Sequence, residues 1–420
     1  SRRSTRRTGE LSSPRGTATR EHEATVYEAC RLAHPPMKLA ALDTCVLHVN
    51  ARTNWTFVRV KLDDGAEGVG EASLNGWEPL VRAYCDELAD ELCGHDIADV
   101  RVRLATYPHS PGGLVASAAK SAIEQALLDA EGRSRGVPAW QLLGARRRDR
   151  VPVYANINRA TTDRTPERCA RAAQAALAQG FRAVKIAPFD GVLPDALDRA
   201  DTQQAIDLGI ERVRAIRAAI GAAPGLMVDC HWRFDPPTAH AVLERLADVR
   251  LHWFECPVSE HPGCHDALAA LRVAANAAGV KVAACELQTS VAGFRPFVAP
   301  RCVDVIMPDV KYAGGMAEMV RIAAFAQAHG VGFSPHNPTG PVGTYASLHV
   351  AAAAGQCESL ELQVGESELY FDVVGGARPD FVDGAFVVPD TPGLGVTLDA
   401  AVLAARPWKR VPAGLDERLG

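Results

Sequence analysis

The stretch from residue 182 to residue 230 contains two short apolar runs, RAVKIA (182–187) and GLMVDC (225–230), separated by GIERVRAIRAAIG (209–221). Each run has the length of a buried strand, whereas the apolar residues of 209–221 recur at the three- and four-residue spacing of an amphipathic helix. A strand, a helix and a second strand in this order predict a unit in which the two strands are parallel.

The same alternation continues on both sides of this unit. Long amphipathic segments rich in alanine follow the runs, and eight strands alternating with helices predict an α/β fold that closes into a (β/α)8 barrel. The six further runs are VPVYANI (151–157), LHWFEC (251–256), KVAACE (281–286), VDVIMP (303–308), GVGFSP (330–335) and SLELQV (359–364).

Residues 37–150 follow a different pattern, which predicts a small α+β domain. Alternating residues and intervening turns over 39–72 indicate an antiparallel meander, and the pattern becomes helical over 79–145. The barrel is expected to occupy residues 151–375. The last segment, 376–420, is too short for another domain, so we expect it to pack back on the first one.

The composition is that of a globular protein and argues against several classes. The 420 residues are 47% hydrophobic and 23% charged, with a net charge of −5. No run approaches the roughly 18 apolar residues of a membrane span, and no basic stripe supports nucleic-acid binding. Eleven cysteines without a C-x-x-C spacing indicate reduced thiols in a cytoplasmic protein. Residues 1–36, rich in Arg, Ser and Thr, predict a disordered leader before Met37.

Ionisable side chains end every predicted strand of the barrel from the second to the eighth. In such a barrel the C-terminal ends of the strands meet at one mouth, where the chemistry takes place. Asp229 and His231 are two positions apart, and the alternation of side chains along a strand predicts that they point the same way. The full set is Lys185, Asp229 with His231, Glu255, Glu286, Asp309, His336 and Glu361.

Three of these carboxylates, Asp229, Glu255 and Glu286, end consecutive strands. Oxygen donors alone suit a hard ion such as Mg²⁺, and without a cation three converging anions would repel each other. A zinc site would need His or Cys ligands. Cys256 and Cys285 adjoin two of the acids, but as strand neighbours they should point the other way. The sequence therefore predicts a magnesium site at the mouth.

These residues lie in motifs that together resemble the mandelate racemase-like group of the enolase superfamily, from residue 37 to about residue 410. The resemblance implies a capping domain, formed by both ends of the chain, over the barrel. It also implies Mg²⁺ on Asp229, Glu255 and Glu286, and a dyad of Asp309 and His336. The motifs are AVKIAP, MVDCHW, WFECPV, MPDVKYAGG, SPHNPTGP and PGLGVTLD.

The reaction that this resemblance implies is removal of the proton α to a carboxylate, with metal-stabilised formation of an enediolate. His336 is the expected base, and Asp309 orients it. Lys185 and Glu361 are expected to flank the developing charge, whose electrostatic stabilisation should be the largest contribution.

The sequence also departs from the family pattern. The usual Lys-x-Lys motif has Lys185 but then Ala187 in place of the second lysine, which removes a base on the opposite face and argues against racemisation. His231 matches the position of the general acid in acid-sugar dehydratases of this group. Cys256 replaces a common Glu and Cys285 replaces a common Gly, and neither change removes a predicted ligand.

The loop EASLNGWEP (71–79) is the expected specificity loop of the capping domain, with Asn75, Trp77 and Glu78 predicted to contact the hydroxyls of a sugar. Arg233 is a further candidate for substrate binding. From its position in the sequence, it either lines the pocket or packs beneath it.

Three functions remain open. The first choice is a Mg²⁺-dependent hydro-lyase that converts a sugar acid, an aldonate or an aldarate, into its 2-keto-3-deoxy product. The second is an epimerase or a lactone cycloisomerase that uses the same enediolate. The third is a catalytically silent barrel that acts as a binding protein, although the intact ligand set argues against it. We expect a small sugar acid as substrate, a homo-oligomer, and no nucleic-acid or membrane partner.

Overall fold

The computed structural model describes residues 36–106, 113–375 and 377–412. The predicted leader, residues 1–36, lies outside the described residues apart from Pro36. Met37 is buried. Within the described ranges, no helix combines the length and the apolar character that a membrane span requires.

Within the described residues, the first part of the chain forms a three-stranded antiparallel sheet with the order β1-β2-β3 and four helices. Helix α3 packs closely on the sheet because glycine lies where it crosses: a Cβ on Gly70 would be 2.0 Å from the carbonyl oxygen of Ala122. The elements are β1 (Leu39–His48), β2 (Asn54–Leu62), β3 (Glu67–Glu71), α1 (Glu78–Leu92), α2 (Ile97–Thr106), α3 (Gly113–Arg135) and α4 (Ala139–Leu143).

Eight parallel strands and eight helices then alternate, and the predicted fold class is confirmed. The strands are β4 (Arg150–Asn156), β5 (Ala183–Ile186), β6 (Gly225–Asp229), β7 (Trp253–Glu255), β8 (Lys281–Ala284), β9 (Val305–Ile306), β10 (Gly332–Phe333) and β11 (Leu360–Gln363). The helices are α5 (Pro166–Ala178), α6 (Ala200–Ile220), α7 (Pro236–Arg245), α8 (His265–Ala277), α9 (Ser290–Val298), α10 (Met316–Ala328), α11 (Pro341–Ala353) and α12 (Leu369–Asp372). Short 3₁₀ turns occupy Pro194–Ala196, Ala247–Val249 and Pro262–Cys264.

Backbone hydrogen bonds join these strands into a barrel. Strands β4 to β10 pair in order, and β11 pairs with β4. Two hydrogen bonds connect β10 to β11: the Glu358 amide donates to the Phe333 carbonyl at 2.8 Å, and the Glu361 amide donates to the Pro335 carbonyl at 3.2 Å. Helix α9 contains Gly293 and Pro296, which weaken its helical pattern in the sequence.

The end of the chain contacts both parts of the molecule. A hairpin of β12 (Phe381–Val382) and β13 (Ala385–Val387) pairs antiparallel with the start of β4. Further on, the backbone of Gly393 exchanges hydrogen bonds with Val137 and Ala139, and α13 (Ala400–Ala405) lies against β1. The tail thus contacts both the barrel and the first part of the chain, and its assignment to the capping domain stays a prediction, as do the domain boundaries.

Two buried carboxylates of the capping domain bind the N-termini of barrel helices. The Gly340 amide, at the start of α11, donates to Glu71 at 2.7 Å, and the Met316 amide, at the start of α10, donates to Glu124 at 2.7 Å. Burial raises the pKa of both carboxyls, although these amides favour the charged form. The two helices follow the strands that carry the predicted dyad, so the cap fixes that side of the mouth.

Candidate active site

The structure brings the predicted residues together at one end of the barrel, and nearly all of them are buried. Their backbones lie at the ends of neighbouring parallel strands or just beyond them, which explains why positions far apart in sequence meet. The buried members are Lys185, Asp229, Glu255, Glu286, Asp309, His336 and Glu361.

Lys185 lies between two acids of this cluster. Its Nζ is 2.5 Å from Oε1 of Glu255 and 2.9 Å from Oε1 of Glu361. Burial disfavours the charge on Lys185, but the two carboxylates outweigh burial and raise its pKa well above the usual range. The pKa of Glu361 is lowered in spite of its burial, because Lys185 and His336 lie beside it. Lys185 is therefore a charged partner of two acids rather than a free base.

The Asp309–His336 pair has the geometry of an oriented base. Nδ1 of His336 is 3.0 Å from Oδ2 of Asp309, while Nε2 lies 3.4 Å from Oε1 of Glu286. A carboxylate only accepts hydrogen bonds, so Nδ1 donates to Asp309, and this contact directs Nε2 toward the cluster. The pKa of Asp309 falls to about 2: burial opposes this shift, but Lys311 and His336 outweigh it.

Asp229 and His231 are in contact, but not for the reason that the sequence suggested. Strand β6 ends at Asp229, and His231 has a left-handed backbone with φ of 48°. The turn, not strand alternation, brings Nε2 of His231 to 2.7 Å from Oδ2 of Asp229, and the His231 amide donates to Oδ1 at 2.9 Å. The imidazole is 26% exposed, so it is the member of the cluster that is most open to a ligand.

Cys256 also points into the cluster, and the prediction that it points away was wrong. Strand β7 ends at Glu255, and Cys256 has a φ of 43°, which breaks the alternation. Its Sγ and single carboxylate oxygens of Asp229 and Glu286 lie within 4.8 Å of one another. Burial raises the pKa of the Cys256 thiol, and the surrounding acids, Glu286 first among them, raise it further.

The donor atoms of the cluster fit a divalent cation. Five carboxylates of the mouth are buried against two buried lysines, Lys185 and Lys311, so acidic groups exceed the fixed cations by three. Such an excess of oxygen donors in a dry site calls for a bound positive charge. The five acids are Asp229, Glu255, Glu286, Asp309 and Glu361.

Three further residues complete the cluster and were missed in the sequence. Asn156, at the end of β4, donates to Oε1 of Glu361 at 2.6 Å, and the Asn337 amide donates to Oε2 at 3.0 Å. Nζ of Lys311 donates to Asp309 at 2.9 Å. The prediction considered only the ionisable residues assigned to the strand ends themselves. Amide side chains at strand ends, and a lysine two residues after an acid, were the available signals.

The predicted specificity loop makes contacts within the capping domain. Asn75 accepts a hydrogen bond from the Asn54 amide at 3.0 Å. Glu78 is buried and accepts from the side chain of Asn54 at 3.1 Å and from the Gly76 amide at 2.9 Å, while Trp77 is half-buried. These contacts do not favour a sugar contact for Glu78. The role of the loop in substrate binding stays a prediction.

Arg233 lies beneath the loops of the mouth. It is 8% exposed, and its guanidinium donates to the carbonyl of Val192 at 2.8 Å. Beside it in the chain, Trp232 donates to the half-buried carboxylate of Glu260 at 3.0 Å. The contact of Arg233 favours the packing alternative, and substrate binding by Arg233 stays a prediction.

Two family models match the chain. The N-terminal domain of the mandelate racemase / muconate lactonizing enzyme family matches residues 22–144, and the enolase C-terminal domain-like family matches residues 168–402. A protein named D-galactonate dehydratase from Xanthomonas axonopodis pv. citri (strain 306) is 32% identical over 377 residues, covering 87% of this chain and 94% of the relative. The D-galactonate dehydratase of Ralstonia pickettii (strain 12J) is 31% identical over 363 residues, covering 84% and 91%.

Solved structures have the same fold. A putative dehydratase from Mesorhizobium loti superposes with a TM-score of 0.79 at 27% identity, covering 89% of this chain and 99% of that one. A putative L-alanine-DL-glutamate epimerase from Burkholderia xenovorans strain LB400, described as bound to magnesium and fumarate, superposes with a TM-score of 0.77 at 26% identity, covering 89% and 97%.

Proposed function

The chain belongs to the mandelate racemase and muconate lactonizing enzyme family of the enolase superfamily, and from this premise we propose that it is a Mg²⁺-dependent acid-sugar dehydratase. The substrate class is a sugar acid with a hydrogen on C2 and a hydroxyl on C3. Aldonates are the first candidates, because D-galactonate is the substrate that the names of the relatives give. The product is the 2-keto-3-deoxy acid.

The observation that carries the proposal is the placement of a base and an acid around one group of carboxylates. Nε2 of His336 faces Glu286 at 3.4 Å, and His231 contacts Asp229 at 2.7 Å. Dehydration needs both functions, because a carbon-bound proton must leave and a hydroxyl must be protonated. Two histidines on separate loops supply them.

The first step is removal of the proton at C2. His336 takes this proton on Nε2, while Asp309 holds Nδ1–H and stabilises the imidazolium that forms. When bound, Mg²⁺ supplies positive charge that stabilises the enediolate formed from the substrate carboxylate, and Asp229, Glu255 and Glu286 would hold it. Lys185 adds a fixed positive charge on the same side.

The second step breaks the bond between C3 and its oxygen. His231 donates a proton to the departing hydroxyl, which leaves as water, and the enol that remains becomes the ketone at C2. Ala187 stands where a second lysine would supply a base on the opposite face. The methyl side chain of Ala187 cannot act as a base, so residue 187 does not mediate inversion of the configuration at C2.

The test combines a substrate screen with one substitution. The protein with Mg²⁺ is incubated with a panel of aldonates and aldarates in D₂O, and 2-keto-3-deoxy acids are assayed. With the substrate found, His231→Asn should lower product formation by about 10²-fold, the scale of a lost general acid. It should still introduce deuterium at C2 of recovered substrate, because proton removal does not need His231.

His329→Asn is the matched control. His329 caps the C-terminus of α10, at the opposite end of the barrel from the strand ends, so this variant should keep its rate. Near-normal dehydration by His231→Asn would remove the proposed acid. Inversion at C2 by the unmutated protein would favour the epimerase alternative, and absence of exchange with every acid would favour a binding protein.

A further inference from the structure

Cys256 adds a sulfur atom to a site of oxygen donors. Its left-handed backbone turns the thiol toward Asp229 and Glu286, and all three side chains are buried. The three donor atoms lie within 4.8 Å of one another, so modest side-chain movements would bring them around one ion.

Glu255, one residue earlier, is engaged elsewhere. Its Oε1 lies 2.5 Å from Nζ of Lys185, and its Oε2 accepts a hydrogen bond from the indole of Trp253 at 2.8 Å. Both oxygens keep lone pairs for a metal, but neither oxygen is turned solely toward the centre of the cluster. Immediately after β7, the sulfur of Cys256 lies beside Asp229 and Glu286. The same thiol also donates a weak hydrogen bond to Oε1 of Glu260 at 3.8 Å.

The chemistry of this donor set differs from that of three carboxylates. Carboxylates alone suit hard ions such as Mg²⁺, whereas a thiolate binds borderline and soft ions such as Co²⁺, Zn²⁺ and Cd²⁺. Two carboxylates and one thiolate form a mixed site, with room for water or substrate as further ligands. The thiol proton leaves to solvent when such an ion binds.

We propose that Cys256 is a further metal ligand in this chain, and that Asp229, Cys256 and Glu286 together bind thiophilic divalent ions at the mouth of the barrel. The proposal deepens the proposed function, because it concerns the same metal centre and extends its selectivity beyond Mg²⁺. It changes what the enzyme binds under metal stress, since a thiophilic ion at this position competes with the ion that the dehydration uses.

The test is a titration of metal-free protein with CoCl₂, followed by absorption. A cobalt–thiolate bond produces charge-transfer absorption in the near ultraviolet, which carboxylate ligands do not. The unmutated protein should develop this band with a stoichiometry of one ion per chain. Cys256→Ser should lose the band and bind Co²⁺ at least roughly 10- to 100-fold more weakly, the scale that even loss of a group supporting a ligand produces.

Cys285→Ser is the matched control. Cys285 follows β8 as Cys256 follows β7, is also buried and also has a positive φ, but it is not among the three grouped donors. This variant should keep the cobalt band. The melting temperature of each variant checks its folding. Should Cys256→Ser fail to fold, X-ray absorption of the zinc-loaded unmutated protein gives the answer, with a sulfur neighbour expected at about 2.3 Å.

A missing cobalt band in the unmutated protein, a band that persists in folded Cys256→Ser, or a zinc environment without sulfur would each overturn the proposal. These results are separable from the test of function. A protein that dehydrates an acid sugar with Mg²⁺ but forms no cobalt–thiolate band keeps the proposed function and loses this ligand. A protein that forms the band but processes no sugar acid keeps Cys256 as a metal ligand and loses the proposed function.

Discussion

Both ends of the barrel carry pairs of lysine and glutamate, but the pairs differ in how deeply they are buried. At the base, Lys281 and Glu358 pair at 2.6 Å with side chains 41% and 28% exposed, around an open cavity. At the mouth, Lys185 and Glu255 pair at 2.5 Å and are 1% and 0% exposed. A charged cluster alone does not identify a site. A buried cluster with an excess of negative or positive charge does identify one, because a ligand is then needed to balance that charge.

The turns at the two ends differ as well. Four helix-to-strand turns at the base take positive φ at glycine, and two take it at arginine, namely Gly180, Gly221, Gly279, Gly330, Arg250 and Arg301. The mouth has positive φ at three glycines, Gly314, Gly315 and Gly365. It also has positive φ at five other residues, namely His231, Trp232, Cys256, Cys285 and Ser290. A left-handed residue other than glycine costs roughly 1–2 kcal/mol. Such strain persists where a particular side chain is required.

The largest expected contrast is catalytic, between the acids Asp229 and Asp304. Asp229→Asn should lower Mg²⁺-dependent dehydration by about 10³-fold or more, because a metal ion supplies several kcal/mol of charge stabilisation. EDTA should have the same effect on the unmutated protein, and Mg²⁺ should reverse it. Asp304, at the base, accepts hydrogen bonds from Arg272 and Asn276. Asp304→Asn should leave kcat nearly unchanged, and full activity of metal-free protein would contradict the metal mechanism.

The second contrast concerns stability, between Lys185 and Lys281. Lys185→Met leaves two buried carboxylates without their cation and should lower the free energy of unfolding by about 3–5 kcal/mol. Lys281→Met removes a half-exposed pair and should cost about 0–1 kcal/mol. Urea unfolding of both variants measures the difference. Mg²⁺ should recover part of the loss in Lys185→Met only. Equal costs at the two ends would show that burial does not set the difference.

The smallest contrast tests the backbone, between Cys285 and Gly279. At Cys285, with φ of 79°, the glycine variant should be more stable than the alanine variant by about 1 kcal/mol, the reverse of the usual order. At Gly279, φ is 73° and a Cβ would meet no atom within 4 Å, so Gly279→Ala should lose about the same amount through backbone strain alone. Thermal unfolding of the three variants measures both effects. If Cys285→Ala were more stable than Cys285→Gly, the proposed backbone strain at residue 285 would be contradicted.

The sequence predicted the features that depend on spacing and missed those that depend on the backbone after each strand. The positions of Asp229 and Glu255 at strand ends follow from the lengths of the repeated units. The directions of the Cys256 and His231 side chains cannot be predicted in this way. Both residues lie one or two positions beyond a strand end and have a positive φ, which is uncommon for cysteine and histidine. Lys311 was missed because its partner, Asp309, was already assigned to a histidine.

The two glutamates of the cap that bind the barrel helices have a consequence for exchanging caps between related enzymes. Glu71 and Glu124 each accept hydrogen bonds from backbone amides at the start of a barrel helix. A chimera that joined this barrel to the cap of a relative would leave those amides without acceptors unless the new cap carried carboxylates at both positions. We therefore expect a foreign cap to fit this barrel only when it carries acceptors at both positions, whereas changes within the loops of the mouth leave these contacts intact.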